Sequence, residues 1–262
     1  FSCAKDSYGV PKAAAAVIGI LGGRPFMRRR VDAIHANSSY TQEVVRRDFL
    51  QQNPDEESNH VIEAIIPSFR DSRREDADEN DPVVQPYLDR LPDKPYILFV
   101  GALNNAKGVL VLLDAYQRLE DPPPLLLIGS VWPETPATFP TGVSVLNDVP
   151  RPVVMAAWAR CLFGVAPSVW PEPFGNVVHE AMSKGKAMIG TTPGGHKDMI
   201  THGESGLLVP AGDTDALTTA MQRLITDADL REKMGNAAQK SAAQFSSDVM
   251  IPRFEALYEE IV

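Results

Sequence analysis

The chain has 262 residues, 44% of them hydrophobic and 23% charged, with a formal net charge of -9. That length and apolar content suffice to bury the core of one large or two small domains and argue against disorder of the whole chain. The acidic balance, with a pI near 5.1, argues against a general nucleic-acid or membrane-surface binder, either of which needs a basic field.

The first residue is Phe1 rather than Met, which reads as a processed form or a fragment. Residues 13–21 form an apolar run of nine, too short to span a bilayer and without a basic leader or small-residue cleavage site. They read as a core-facing helix over 12–21. Arg28-Arg29-Arg30 reads as a solvated helix end or loop. A strand is expected near 33–37, a helix near 40–51 and a strand near 61–66. Residues 70–82 are charged and almost without apolar side chains, the composition of a mobile linker or surface loop.

From Pro95 onward, short apolar runs alternate with longer helical patterns, the mark of a parallel sheet covered by helices on both faces. Strands are expected at 96–100, 125–128, 143–146, 162–166, 187–190 and 206–209. Helices are expected at 109–119, 152–159, 177–184, 197–201, 215–226, 229–244 and 248–261, with Asp213 as an N-cap. The fold class is therefore α/β, Rossmann-like. The organisation expected is a small partial N-terminal region over 1–70, a charged linker over 71–94 and a ligand-binding domain over 95–262. Cys3 and Cys161 are the only cysteines. Cys161 lies in an apolar run, which fits a buried free thiol and a reducing, cytoplasmic setting.

Three segments follow strands and carry polar chemistry. In Phe99-Val100-Gly101-Ala102-Leu103-Asn104-Asn105-Ala106-Lys107-Gly108, a strand end leads through a loop into a helix, and Lys107 can place an ammonium on a phosphate. Taken alone, a plain turn with an exposed lysine is the simpler reading. The segment is not a Walker loop, because Gly-Lys-Ser/Thr is missing. In Trp170-Pro171-Glu172-Pro173-Phe174-Gly175-Asn176-Val177-Val178-His179-Glu180, two carboxylates stand eight positions apart across a turn that opens a helix. The helix N-terminus offers free N–H groups to an anion, and each carboxylate can accept bonds from vicinal sugar hydroxyls, a combination suited to a nucleotide-sugar.

The third segment is Thr192-Pro193-Gly194-Gly195-His196-Lys197-Asp198. Its paired glycines permit either a ligand's close approach or a tight turn. His196 and His202 have no metal-ligand spacing, so a zinc site is not expected. Trp132, Trp158 and Trp170 read as packing residues. The sequence has no Gly-x-Ser-x-Gly elbow, Cys-x-x-Cys pair or Gly-x-Gly-x-x-Gly turn, which removes most support for hydrolase, redox and dinucleotide readings.

In this order the segments closely resemble the donor-binding lobe of the retaining group 1 glycosyltransferases, which have the two-lobed GT-B fold. Residues 99–108 are similar to that family's Phe-Val-Gly-Arg-Leu-x-x-x-Lys-Gly loop, and Glu172 to Glu180 to its E-x7-E motif. Gly194-Gly195 with Asp198 resembles Gly-Gly-x-x-Glu, residues 203–210 resemble Gly-x-x-Gly-x-Leu-Val, and 245–261 the closing helix. The resemblance covers 96–262. Upstream, 31–38 and Ile66-Pro67 look like the last strands of an acceptor lobe.

The resemblance implies a hexosyl transfer from a nucleoside-diphosphate-sugar to an unknown acceptor, with retention and without an obligatory metal. It implies that Lys107 contacts the donor diphosphate, that Gly175, Asn176 and Val177 offer it backbone N–H groups, and that Gly101 and Phe174 belong to the donor-binding site. Glu180 would bind the ribose, Glu172 the transferred sugar, and the backbone of Val149 would read the nucleobase. Glu172 and Lys107 would carry catalysis. Ala102 stands where the family has Arg, and losing a preorganised charge there costs about 2.7–4 kcal/mol by analogy with oxyanion donors. Most of an acceptor lobe is missing, so the exposed face is open to a partner lobe or a second copy. The alternative is a non-catalytic nucleotide-sugar-binding or partner-dependent module. An epimerase of the same architecture would act without an acceptor, and the E-x7-E spacing argues against it.

Overall fold

The computed structural model describes residues 31–50, 61–69, 82 and 84–262. The expected helix over 12–21, the Arg28-Arg29-Arg30 run, Cys3 and most of the charged stretch, 70–81, lie outside them.

Two short strands, β1 (Ala33–Ala36) and β2 (Ile62–Ile65), pair in parallel with Ala33 opposite Ile62 and Ala36 opposite Ile65. Between them runs α1 (Ser39–Val44), whose N-cap Ser38 accepts the Thr41 N–H at 3.0 Å. The expected helix over 40–51 is α-helical only in this first part and widens into a π-turn over Val45–Leu50. The change falls at the β-branched pair Val44-Val45, whose side chains crowd an α-helical turn.

Downstream come β3 (Ile97–Val100), β4 (Leu125–Ile128), β5 (Val143–Leu146), β6 (Phe163–Val165), β7 (Met188–Thr192) and β8 (Gly206–Pro210). All neighbours are parallel, in the order β5-β4-β3-β6-β7-β8. The covering helices are α2 (Gln85–Leu88), α3 (Val109–Gln117), α4 (Arg151–Arg160), α5 (Asn176–Ser183), α6 (Thr214–Thr226), α7 (Ala228–Ala242) and α8 (Ser247–Ile261). Period-2 alternation divides each strand between two faces: Ile97 and Phe99 enter one apolar cluster with Leu125 and Phe163, while Leu98 enters the other with Leu126 and Trp158. Each fully buried Leu or Ile contributes about 1.5–3 kcal/mol, so the sheet is held from both sides.

Several local signals act as read from the sequence. Asp213 caps α6 by accepting the Ala216 N–H at 2.9 Å. Two differ. The segment before β3 contains α2, with Val84, Leu88 and Leu91 buried in the core. The helix expected at 197–201 is instead a single 3₁₀ turn, Gly195–Asp198. Met199 and Ile200 immediately after it are each about 1% exposed, and drawing them into the core ends the turn.

The small strand pair is tied to the large sheet at several points. Asp198 accepts both the backbone N–H and the hydroxyl of Ser39 at 2.5 Å. From α8, Arg253 donates to the Ile65 carbonyl at 2.6 Å, and Phe254 packs edge-on against His35. Among the described residues no helix is long and apolar enough to cross a membrane.

Candidate functional site

The strand order reverses between β3 and β6, and in an open parallel sheet this leaves a crevice at the carboxyl ends of those strands. Both segments that follow carry charge into it. After β3, Gly101 opens a loop in which the Asn104 side chain accepts the Lys107 N–H at 2.9 Å and fixes the turn. After β6, Ser168 leads to Glu172. The Lys107 ammonium lies 2.6 Å from Glu172 Oε1, and the Ser168 hydroxyl donates to the same oxygen at 2.7 Å. Ser168 is itself held, its carbonyl accepting the Thr191 hydroxyl at 2.8 Å. Glu172 is 8% exposed. Among the described residues these two protein donors converge on Oε1 and leave Oε2 for an incoming group.

Gly175 caps α5 at φ +100°, a conformation that L side chains rarely adopt. A Cβ there would also meet His196 Nε2 at 2.7 Å. The turn therefore requires glycine twice over, and it brings the first-turn N–H groups of α5, with the partial positive charge of the helix end, beside Lys107 and Glu172. Gly195 answers the question left open by the paired glycines. A Cβ on it would fall 2.2 Å from the Pro173 carbonyl, and its N–H donates to the Glu172 carbonyl at 2.7 Å. The close approach is used to brace the Glu172 loop.

His196 completes the floor. Its Nδ1 accepts the Thr191 N–H at 3.0 Å, and its Nε2 has no partner among the described residues. Burial pushes its pKa down to about 4, opposed by the Glu172 carboxylate and assisted by the Lys107 ammonium. The ring is thus neutral at pH 7, with its proton on Nε2.

The cleft holds about 310 Å³. Of the residues singled out from sequence, Gly101, Lys107, Glu172, Phe174, Gly175, Asn176 and Val177 line it. Val149 and Glu180 do not. Val149 packs against the core, and Glu180, 4% exposed, turns its carboxylate to Arg151 Nη1 and to Trp158 Nε1, each at 3.2 Å. Ser168, His196, Asn37 and Ser68 also line the cleft. Ser168 is legible in the sequence as a hydroxyl just past an apolar strand; the only sequence signal at His196, metal-ligand spacing, is lacking. Trp158 is a packing residue, whereas Trp132 and Trp170 are 45% and 40% exposed, a correction that follows from their places on surface loops. A larger depression of about 850 Å³ along α7 is lined by Asp229, Glu232, Lys233 and Lys240. It is a wide groove of solvated charges away from the sheet's carboxyl ends. Among the described residues no group of three His, Cys, Asp or Glu could hold a metal ion.

Residues 94–227 match the family model described as Glycosyl transferases group 1. The N-acetyl-alpha-D-glucosaminyl L-malate synthase of Bacillus anthracis is 36% identical over 92 residues, covering 35% of this chain and 24% of that protein. The D-inositol 3-phosphate glycosyltransferase of Jonesia denitrificans is 32% identical over 185 residues, 64% of this chain and 43% of the relative. Among solved structures, the sucrose-phosphate synthase of Thermosynechococcus elongatus superposes with a TM-score of 0.72 at 23% identity, over 88% of this chain and 58% of the other. Anabaena Alr3699/HepE in complex with UDP-glucose gives 0.70 at 22%, over 87% and 64%. The chain spans about half or less of the length of the curated relatives it matches. Its fold is that of GT-B glycosyltransferases, and the chain belongs to the group 1 glycosyltransferase family.

Proposed function

We propose that this member of the group 1 family is the donor-binding part of a retaining glycosyltransferase that takes a hexose from a nucleoside-diphosphate-sugar. The observation that carries the reading is the meeting of Lys107, the Glu172 carboxylate and the α5 N-terminus in one cleft at the switch point of the sheet. An ammonium and a helix N-terminus suit a diphosphate, and they stabilise the charge that develops on it as the glycosidic bond breaks. A carboxylate held through one oxygen presents the other to sugar hydroxyls. Similar folds holding UDP-glucose, as in Anabaena Alr3699/HepE, lend the reading further support.

In this reading the positive groups of the protein serve the leaving diphosphate and no metal is required. A calorimetric titration with UDP, GDP, ADP and their glucose conjugates, repeated with EDTA, tests both statements. Saturable binding of one nucleotide, unchanged by EDTA, is the expected result; transfer with an added acceptor lobe or acceptor, followed by NMR of the anomeric centre, tests retention. Ala102 in place of a second cation favours one other reading, a nucleotide-sugar-binding module that works only with a partner. Binding without turnover under any acceptor would select it.

A further inference from the structure

His196 has the features of a group kept for a ligand. Its side chain is about 1% exposed and sits in the wall of the cleft. The Thr191 N–H on Nδ1 fixes the tautomer, so the remaining proton is on Nε2, and that N–H has no partner among the described residues. Native proteins pair nearly all buried polar side-chain atoms, and an exception calls for a reason. The Nδ1 side of the ring has a structural use in accepting the buried Thr191 N–H, but no protein group among the described residues uses the Nε2 side, which faces the Gly175 turn at the cleft.

The surroundings decide which ligand atom suits this N–H. The Glu172 carboxylate is near enough to raise the His196 pKa and uses Oε1 for Lys107 and Ser168. A phosphate oxygen placed between this carboxylate and the imidazole would be repelled by the first. A hydroxyl is both donor and acceptor, so it can donate to Glu172 Oε2 while accepting from His196 Nε2. Resting on the donor-binding reading above, we infer that one hydroxyl of the transferred sugar bridges Glu172 and His196, and that His196 makes the site select a sugar carrying a hydroxyl at that place. The Gly175 turn lies over the N–H, so it is the sugar hydroxyl that must displace the turn to reach Nε2.

The test compares the full chain with His196→Phe and His196→Gln in calorimetric titrations with UDP, GDP and ADP and with their glucose conjugates. With the nucleotide that binds, His196→Phe is expected to weaken the sugar conjugate by on the order of tenfold and to leave the bare nucleoside diphosphate unchanged, with His196→Gln recovering part of the loss. Equal weakening of both ligands would make His196 a structural residue and overturn the inference. Failure of the unmodified chain to bind any nucleotide would instead overturn the donor reading, and the inference with it. Should the variants not fold, nitrogen-15 NMR of the unmodified chain serves. The Nε2–H resonance is expected to move with the conjugate and not with the nucleotide alone, and a resonance indifferent to the sugar overturns the inference.

Discussion

Lys107 and Glu172, separated by 65 positions in the chain, meet at 2.6 Å, with the ammonium on the same carboxylate oxygen that takes the Ser168 hydroxyl. The lysine is partly exposed and the carboxylate is buried, with side-chain exposures of 38% and 10%. A diphosphate must therefore compete with Glu172 for the ammonium. Lys107→Ala is expected to cost about 1.5–3 kcal/mol of nucleoside-diphosphate affinity, the range for a charge-assisted bond. Glu172→Gln should act in the opposite sense on the bare nucleotide, tightening it, because the ammonium is released and a like charge removed. Calorimetry on the two variants decides, and equal affinities in both would take Lys107 out of the phosphate site.

Two histidines make stability depend on acidity. Burial lowers the pKa of both His196, to about 4, and His179, whose ring also meets the Ala242 carbonyl at 3.3 Å. In the unfolded chain each titrates at its ordinary value near 6.5, so below that pH the unfolded state binds the extra protons. For both, the stabilisation is complete above about pH 6.5 and diminishes as the pH falls below it, and for His196 the loss runs down to about pH 4. For His196 it is on the order of 3 kcal/mol. Urea midpoints measured from pH 7.5 to 4.5 should fall steadily, and His196→Gln should flatten part of that fall. An unaltered slope in the variant would mean that His196 is charged in the folded protein.

Asp198 holds the start of α1 through two bonds to Ser39, each 2.5 Å. Asp198→Ala removes an ionised acceptor for both, at a cost of about 1.5–3 kcal/mol. The loss should be local. Hydrogen exchange is expected to quicken for α1 and the β1–β2 pair and to stay unchanged across β3 to β8, because Arg253 and Phe254 still tether the small sheet. Uniformly faster exchange would show that the two parts unfold as one.

The large sheet was legible because its signals are local. β4 and β5 begin and end where the apolar runs do, and Asp213 caps α6 as a side chain with one backbone partner three residues on. The 3₁₀ turn at Gly195–Asp198 was not, because it is set by where Met199 and Ile200 must be buried, a fact about packing. The site divides the same way. Lys107 and Glu172 follow strands whose carboxyl ends converge, so position along the chain placed them. Glu180 lies on a helix, where spacing fixes the face of a residue relative to its neighbours but not what that face meets.

That last residue separates two roles that one substitution would confuse. Glu180 Oε2 takes the Trp158 indole N–H at 3.2 Å, Trp158 is fully buried, and Arg151 approaches Oε1 from a half-exposed position. Trp158→Phe keeps the ring in the core and deprives the carboxylate of a buried donor, so it should destabilise the fold by about 1–3 kcal/mol. Arg151→Ala should cost no more than about 1 kcal/mol, since that pair is open to solvent on one side. A ribose bound by Glu180 would have to displace Arg151 rather than Trp158. If the ribose is bound by Glu180, nucleotide affinity falls with Glu180→Ala, by about 1.5–3 kcal/mol, and holds or improves with Arg151→Ala. Melting temperatures measured beside the titrations keep the effects apart: if Glu180→Ala lowers the first and spares the second, the carboxylate serves Trp158 and the ribose is bound elsewhere.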